Sequence, residues 1–464
     1  MVENIAPIQN KDIPHPSLVG LSDALIKEIV DALHDGVKDS HLALIQDLSA
    51  HDLAELIQKI PADDRNLFLL NPEFNLDPQV FSYLDSNLRK ESLNTFNAYQ
   101  VAQIISELDS DDALDIIEDL SKDFQQDIIR QLSSKMRVAI EEGLTFPEDS
   151  AGRLMQREYV AIPQFWTVGK VIDYLRAACD DLPSEFSDLI LIDPSYHVVG
   201  EVPLGRIIRA PRSQKIKDIR YNTLHVIPCD MDQEEVTYLF RREGLNSAPV
   251  IDADNRLIGI ITVDDILDVI DEEAEEDILK LAGVEGGDFY QAILTTTTSR
   301  FRWLFVNLLT AIAASLVISL FDATLEEMVA LAILMPIVAS MGGNAGTQAL
   351  TVAVRALATK ELSQTNMMRV IGKETLVGFL NGVGFAVIIG CIAGLWFENI
   401  TLGFVIAGAM TLNLIVAGLS GAAIPILLQK LGSDPALSST VLLTTITDVV
   451  GFFGFLGLAS LFLI

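Results

Sequence analysis

Basic residues, cysteines and histidines are scarce in this 464-residue chain, and its last third is nearly free of charge. Only 32 Lys and Arg stand against 64 Asp and Glu, a net charge of −32. So acidic a chain repels nucleic acid and anionic headgroups and attracts divalent cations or basic partners. Cys179, Cys229 and Cys391 lie far apart and make no CxxC or Cys/His spacing. That suits a reducing compartment, speaks against a zinc site and predicts three packing residues. The histidines, His15, His34, His41, His51, His197 and His225, form no HExxH pair, and no GxxxxGK[ST] loop is present. Both absences weigh against an enzyme and an ATP-driven pump. The opening MVENIAPIQNKDIPHPS has neither a basic n-region nor an apolar h-region, so no cleaved signal is expected and the soluble part is expected in the cytoplasm.

What the last third does have is hydrocarbon. Only 7 Lys/Arg and 8 Asp/Glu follow residue 299, so nearly all the negative charge precedes it. Apolar runs long enough to cross ~30 Å of bilayer are expected at 301–321, 328–357, 370–397, 401–430 and 436–464. Arg300, Arg302, Arg355, Lys360, Arg369, Lys373 and Lys430 fall on one set of connections, and Asp322, Glu326, Glu327 and Glu398 on the other. The positive-inside rule then places the N-terminus in the cytoplasm and the C-terminus outside.

One acid interrupts the final run. Asp448, in TTITDVVG, is far from any other charge, and a carboxylate at bilayer centre costs at least ~2.5–3.5 kcal/mol unless it faces a wet cavity or a cation. It is the first candidate for a cation site. In the second span, Pro336 and the MGGNAGTQ segment (341–348) suit a regular helix poorly. Broken backbone there would line an aqueous path and turn carbonyls to an ion. The competing reading is close helix packing through small residues, as at Gly378/Gly382 and Gly390/Gly394.

Two kinds of repeat precede the spans. Residues 1–145 carry LAELIQKIP (53–61), VAQIISELD (101–109), ALDIIEDLS (113–121) and DIIRQLS (127–133), apolar at helical spacing and stopped by Pro, Asp or Ser. Short helix hairpins stacked in a small solenoid follow from that pattern. Asp109, Asp111, Asp112 and Asp115 read as helix caps and solvated face, with a metal-binding edge as the alternative. Between 151 and 270 a duplication appears, with Ile162-Pro163 over Ile227-Pro228 at an offset of 65 and, later, Asp193 over Asp252 and Gly200 over Gly259. Each copy should run strand, helix, β-hairpin, helix. The duplication resembles a tandem cystathionine-β-synthase (CBS) pair, a module that often holds an adenine nucleotide or a metal. The resemblance implies that Thr262 and Asp265, a Thr-x-x-Asp after the last strand, would hold ribose. At the matching place the first copy has Pro203-Leu204-Gly205-Arg206, with neither hydroxyl nor acid.

The segment 264–277, DDILDVIDEEAEED, has nine acids and no base. Like charges three and four apart destabilise a helix. It reads either as a solvated helix or as a sensor, since Mg²⁺ and Ca²⁺ take oxygen ligands and one ion between acidic surfaces cancels their repulsion.

In this order the segments EDSAGRLM (148–155), TVDDILDVIDEEAEED (262–277), MGGNAGTQALTVAVRALAT (341–359), LGSDPALSS (431–439) and TTITDVVG (444–451) resemble the MgtE family of magnesium channels and transporters over essentially the whole chain. The resemblance implies a multidomain fold. It comprises an all-α helical-hairpin N-terminal domain (1–145), an α/β tandem CBS pair (146–263), an acidic connecting or plug helix (264–285) and a five-helix transmembrane domain (286–464). It implies a homodimer in the cell (inner) membrane that admits hydrated Mg²⁺ at Asp448 and Asn344, with Glu374 and Asp434 near the pore. Cytosolic Mg²⁺ would be sensed by Glu234, Asp265, Asp268, Glu273, Glu276 and Asp277, and ATP could sit at the CBS pair. Gly244 and Leu245 depart from the family's acid and aromatic at those places. The alternatives are a broader carrier of Co²⁺, Ni²⁺ or Zn²⁺, or a CBS-regulated magnesium sensor that passes no ion.

Overall fold

The computed structural model describes residues 20–36, 38–178, 182–183, 186–284, 293–363, 365–436 and 439–463. Cys179 and the expected domain boundary at 285/286 lie outside them. The chain divides into two compact units, Met1–Asp271 and Glu272–Ile464.

The first unit opens on short helices: α1 (Asp23–Asp35), α2 (Asp39–Gln46), α3 (Ala50–Lys59), α4 (Ala62–Leu69), α5 (Ser86–Leu93), α6 (Ala98–Ile105), α7 (Ser110–Glu118), α8 (Lys122–Ile129) and α9 (Ser134–Gly143). Local capping sets their starts. Ser49 Oγ accepts from the Asp52 N–H at 3.1 Å while Asp52 accepts from the Ser49 N–H at 3.1 Å, and Asn97 and Gln100 repeat the exchange at 3.0 Å. Their ends are recaptured by the few bases present. Arg65 Nε donates to the Ile57 carbonyl and Arg137 Nε to that of Ile129, each at 3.1 Å and each eight residues back in sequence. The buried stripes, such as Leu53, Leu56 and Ile57 or Val101, Ala102 and Ile105, let each helix pack on the one after next: α5 on α7, α6 on α8, α7 on α9.

The CBS pair follows α10 (Ala151–Leu154). Its first copy comprises β1 (Ala161–Pro163), α11 (Val168–Ala177), β2 (Asp188–Ile192), β3 (Val198–Pro203) and α12 (Leu204–Arg209). The second comprises β4 (Ile227–Pro228), α13 (Gln233–Glu243), β5 (Ser247–Ile251), β6 (Leu257–Thr262) and α14 (Val263–Ala282). The two sheets share one topology: β1 is parallel to β2 and β2 antiparallel to β3, as β4 is to β5 and β5 to β6. The sequence duplication is reproduced in register, Leu191 opposite Gly200 and Val250 opposite Gly259. The hairpin turns match as well. Asp193 Oδ1 accepts from the N–H groups of Ser195 and His197, and Asp252 Oδ1 from those of Asp254 and Arg256, at 2.8–2.9 Å.

The second unit holds α15 (Ile293–Ser319), the short α16 (Asp322–Glu327), α17 (Val329–Ala358), α18 (Met367–Trp396), α19 (Ile400–Lys430) and α20 (Ser439–Phe462). Among the described residues, five of these helices are long and apolar enough to cross a membrane, α16 being the exception. The central element is α19, which packs on α17, α18 and α20.

Glycine makes that packing close. A Cβ at Gly378 would lie 2.3 Å from the Leu414 carbonyl oxygen, and one at Gly421 would lie 2.5 Å from that of Gly346.

Two expectations are corrected here. The break expected at MGGNAGTQ is absent, because α17 runs unbroken from Val329 to Ala358 with Pro336 inside it. Its glycines serve contact instead: a Cβ at Gly342 would fall 2.2 Å from Asn413 Nδ2, and one at Gly346 would fall 2.7 Å from Leu443 Cδ1. The carbonyls around Asn344 are therefore engaged within a helix. Cys391, expected to be packed, is exposed on an apolar groove between α18 and α19. A lipid-facing helix surface accepts a thiol as readily as a core does.

Candidate functional site

Asp448 sits in the middle of α20 as that helix's only charged residue, half-buried and without an ion pair among the described residues. Its helix is held through a neighbour that the sequence does not advertise. Asn413 of α19 is completely buried, and its Nδ2 donates to the Val338 carbonyl of α17 at 2.8 Å. The same side chain fills the space left by two glycines. A Cβ at Gly342 on α17 or at Gly451 on α20 would lie 2.2 or 2.8 Å from its Nδ2. Gly451 is three residues beyond Asp448 and Gly342 two before Asn344, so one amide sets the spacing of both candidate pore segments. Asn413 Oδ1 has no hydrogen-bond partner among the described residues.

Asn344 is exposed on α17, its Nδ2 3.4 Å from Ser340 Oγ. Glu374 on α18 is largely buried, with Lys373 Nζ 4.0 Å away. Asp434 lies between α19 and α20, where its Oδ1 accepts from the Ala436 N–H at 2.8 Å and its Oδ2 is 2.8 Å from Lys280. Glu276 and Asp277 lie in the last turns of α14 beside that lysine, and Glu273 is half-buried one turn earlier. Burial raises the Asp277 carboxyl, and Asp434 raises it further.

The first unit gathers a second group of acids. Asp265, at the start of α14, lies near Asp111 and Asp112 of α7: burial and then Asp265 raise Asp111 well above the carboxylate range, and burial, then Asp264 and Asp112, push Asp265 up to about 7. Asp112 is pushed up to about 6, mainly by burial. Asp109 and Asp268 are raised for the same first reason, with Asp264 beside both. The reading of Asp111 and Asp112 as solvated caps is corrected by this placement, since i, i+1 acids at a helix start cannot both face water once another domain covers one side. Asp115 does pair outward, with the buried Arg89 at 2.6 Å. Glu234 belongs to neither group and is exposed in the first turn of α13.

Among the described residues no three His, Cys, Asp or Glu side chains converge to hold a bare metal ion. Hydrated Mg²⁺ does not need such a cage. It usually keeps several waters and takes one or two carboxylates, a donor count that a lone carboxylate or an acid pair can meet.

The CBS pair carries a cleft and the expected Thr-x-x-Asp. A cleft of ≈ 320 Å³ opens at the first copy's Arg206, lined also by Asp188, Glu201, Tyr221, His225 and Glu243. Asp188 and Glu201 are both buried and share one hydroxyl, Ser247 Oγ, at 3.1 and 3.2 Å. Burial, then Asp188, pushes Glu201 up to about 8. Arg206 is already committed to the carbonyls of Ile219 and Arg220. In the second copy Thr262 Oγ1 donates to Asp265 Oδ2 at 2.7 Å, and that carboxylate faces the α7 acids.

Comparison with known proteins bears on the whole chain. The family model for MgtE, a divalent cation transporter, matches residues 335–458, that for the MgtE intracellular N domain residues 21–149, and that for the CBS domain residues 216–272. The magnesium transporter MgtE of Bacillus subtilis is 32% identical over 443 residues, 95% of this chain and 98% of its own length. That of Thermus thermophilus is 35% identical over 333 residues, 71% of this chain and 73% of its own. A crystal structure of the cytosolic domain of the Mg²⁺ channel MgtE in complex with ATP is 28% identical, with a TM-score of 0.48, covering 53% of this chain and 99% of that domain. With five membrane-length helices, a CBS pair and a helical N-terminal part in this order, the chain is a multi-pass membrane protein and belongs to the MgtE family of divalent cation transporters.

Proposed function

We propose that the chain is a Mg²⁺-selective channel or transporter that mediates magnesium influx and is gated by cytosolic Mg²⁺. The observation that carries this reading is Asp448, the single carboxylate of α20, on a helix held to α17 and α19 by Asn413. In a homodimer two such carboxylates would face one hydrated ion. A few oxygens around a hydrated ion favour divalent over monovalent cations by charge density and still release it. The inside-negative potential drives entry at ~2.3 kcal/mol per charge per 100 mV. The N-terminus is cytoplasmic and the C-terminus outside in this reading, in the cell membrane, with 1–145, 146–263 and 264–285 as the sensing part and 286–464 as the pore.

Gating follows from the acids. When Mg²⁺ is scarce, the acidic domains that bear Asp265, Asp268, Glu273, Glu276 and Asp277 repel one another, and the pore is free to open. Abundant Mg²⁺ bridges them and closes it. ATP would sit at the CBS pair with Thr262 and Asp265 on its ribose, and the flux itself needs none. Full chain in proteoliposomes should take up Mg²⁺ without ATP, whereas a sensor that passes no ion would not. Joint Ala substitution of Asp265, Asp268, Glu273 and Glu276 should preserve uptake and abolish its inhibition by Mg²⁺ on the cytosolic side, and unaltered inhibition would refute the gating scheme. The family's divalent breadth keeps Co²⁺, Ni²⁺ and Zn²⁺ as competitor ions in the same assay.

A further inference from the structure

The last turn of α14 carries a single base among its acids. Lys280 Nζ lies 2.6 Å from Glu276 Oε1, one turn back, and 2.8 Å from Asp434 Oδ2 between α19 and α20. Burial pulls this ammonium down, but its hydrogen bonds to Asp434 and Glu276 outweigh that and hold it charged. The helix end is fixed by two further contacts. Thr440 Oγ1, in the first turn of α20, donates to the Leu281 carbonyl at 2.8 Å, and the Leu281 side chain packs on a cluster of Leu350, Val354, Ile424, Ala436 and Leu443. Gly283, at φ 69°, then turns the chain against Trp303, where a Cβ would lie 1.6 Å from the indole Nε1. Thr440 is eight residues before Asp448 on one helix, a rise of about 12 Å.

We propose that Lys280 is the tethered cation of this junction. Its ammonium joins Glu276 to Asp434 when Mg²⁺ is scarce, and a divalent ion gains those carboxylates only by displacing it. Both cations cannot occupy a gap spanned by contacts of 2.6 and 2.8 Å, so the free energy of breaking the ammonium contacts is subtracted from that of binding Mg²⁺. Lys280 thereby sets the Mg²⁺ concentration at which the junction fills. With the ammonium released, α14 stays tied to α20 through Leu281 and Thr440, so filling also changes what holds the helix end. This inference rests on the gating scheme proposed above.

Trp303 reports on the junction directly. Of the chain's three tryptophans, the other two, Trp166 and Trp396, can be replaced by Phe. Its fluorescence is then followed in the full chain in nanodiscs as Mg²⁺ is titrated, a readout independent of flux. Lys280→Gln should lower the midpoint about tenfold, since one positive charge leaves the site. Lys280→Arg, which keeps charge and donors, should stay within about twofold of the parent. The double variant Lys280→Gln/Asp434→Asn, which removes one charge of each sign, should return towards the parent midpoint. A midpoint unchanged or raised in Lys280→Gln, beside a normal response in the parent, overturns the role of Lys280 alone. A parent that gives no Mg²⁺ response overturns the gating scheme and this inference with it.

Discussion

Carboxylates crowd together in the first unit and stand nearly alone in the second. Around α7 and the start of α14, burial and neighbouring acids raise Asp111, Asp112 and Asp265, so their charge responds to pH. Along α20, Asp448 has no such company, and the packing around it is made by glycine contacts and one buried amide. The contrast separates two tasks. In the proposed reading several acids at partial occupancy would read a concentration, whereas one fixed charge would pass ions and must let them go.

The sharpest way to break this contrast is to remove the lone acid. Asp448→Ala should reduce Mg²⁺ flux about 100-fold or more at every cytosolic Mg²⁺ concentration, the scale set by an intramembrane charge of ~2.5–3.5 kcal/mol. Flux within a few-fold of the parent would place the pathway elsewhere. The frame should matter next. Asn413→Leu removes the second donor that the Val338 carbonyl has besides its own helix, a net loss of ~0.5–1.5 kcal/mol, and should lower Mg²⁺ flux about tenfold while raising the Na⁺ share of the current, measured by ion-replacement recordings. An Asn413 that is mere filler would lose folded yield without any change in ion preference.

In the first unit the expected effects are on stability, not flux, and depend on pH. Glu201 is held at about 8 in the folded chain against ~4.3 when unfolded. Its contribution is therefore whole below pH ~4.3 and is lost at ~1.4 kcal/mol per pH unit as pH rises towards the folded value. Glu201→Gln should flatten this decline, stabilising the full chain at pH 8 and leaving it unchanged at pH 4 in thermal unfolding. A parallel decline in the variant would mean that another group titrates. Asp112, at about 6, has the same sign over a lower window. Mg²⁺ should raise the unfolding temperature about 2–4 °C more at pH 7.5 than at pH 5, where the acids are already protonated. Asp112→Asn should narrow that difference, and a Mg²⁺ effect indifferent to pH would detach these acids from cation binding.

Much of this was legible in the sequence because it is written in periodicity and charge. The five spans, the CBS duplication with its paired Asp193 and Asp252 turns, and the isolation of Asp448 all follow from patterns one residue deep. What was hidden depends on neighbours far along the chain. Asn413 is a lone amide in an apolar run, and nothing local tells that Gly342 and Gly451 make room for it. MGGNAGTQ reads as a helix breaker by propensity, yet its glycines are explained by steric contact within an unbroken α17. Asp111 and Asp112 have the spacing of helix caps, and only the fold brings Asp265 to them. Lys280 is one base after nine acids, and its reach to Asp434 spans a connection that sequence cannot close.

The central claim is passive, potential-driven passage of a divalent ion through the second unit. It is tested most directly by Mg²⁺ accumulation in vesicles of the full chain, without ATP, at an imposed inside-negative potential of about 60 mV and micromolar external Mg²⁺. Two charges at ~2.3 kcal/mol per 100 mV each predict a steady inside-to-outside ratio near ~100, collapsing when the potential is dissipated. No accumulation without ATP, or accumulation indifferent to the potential, would contradict the account.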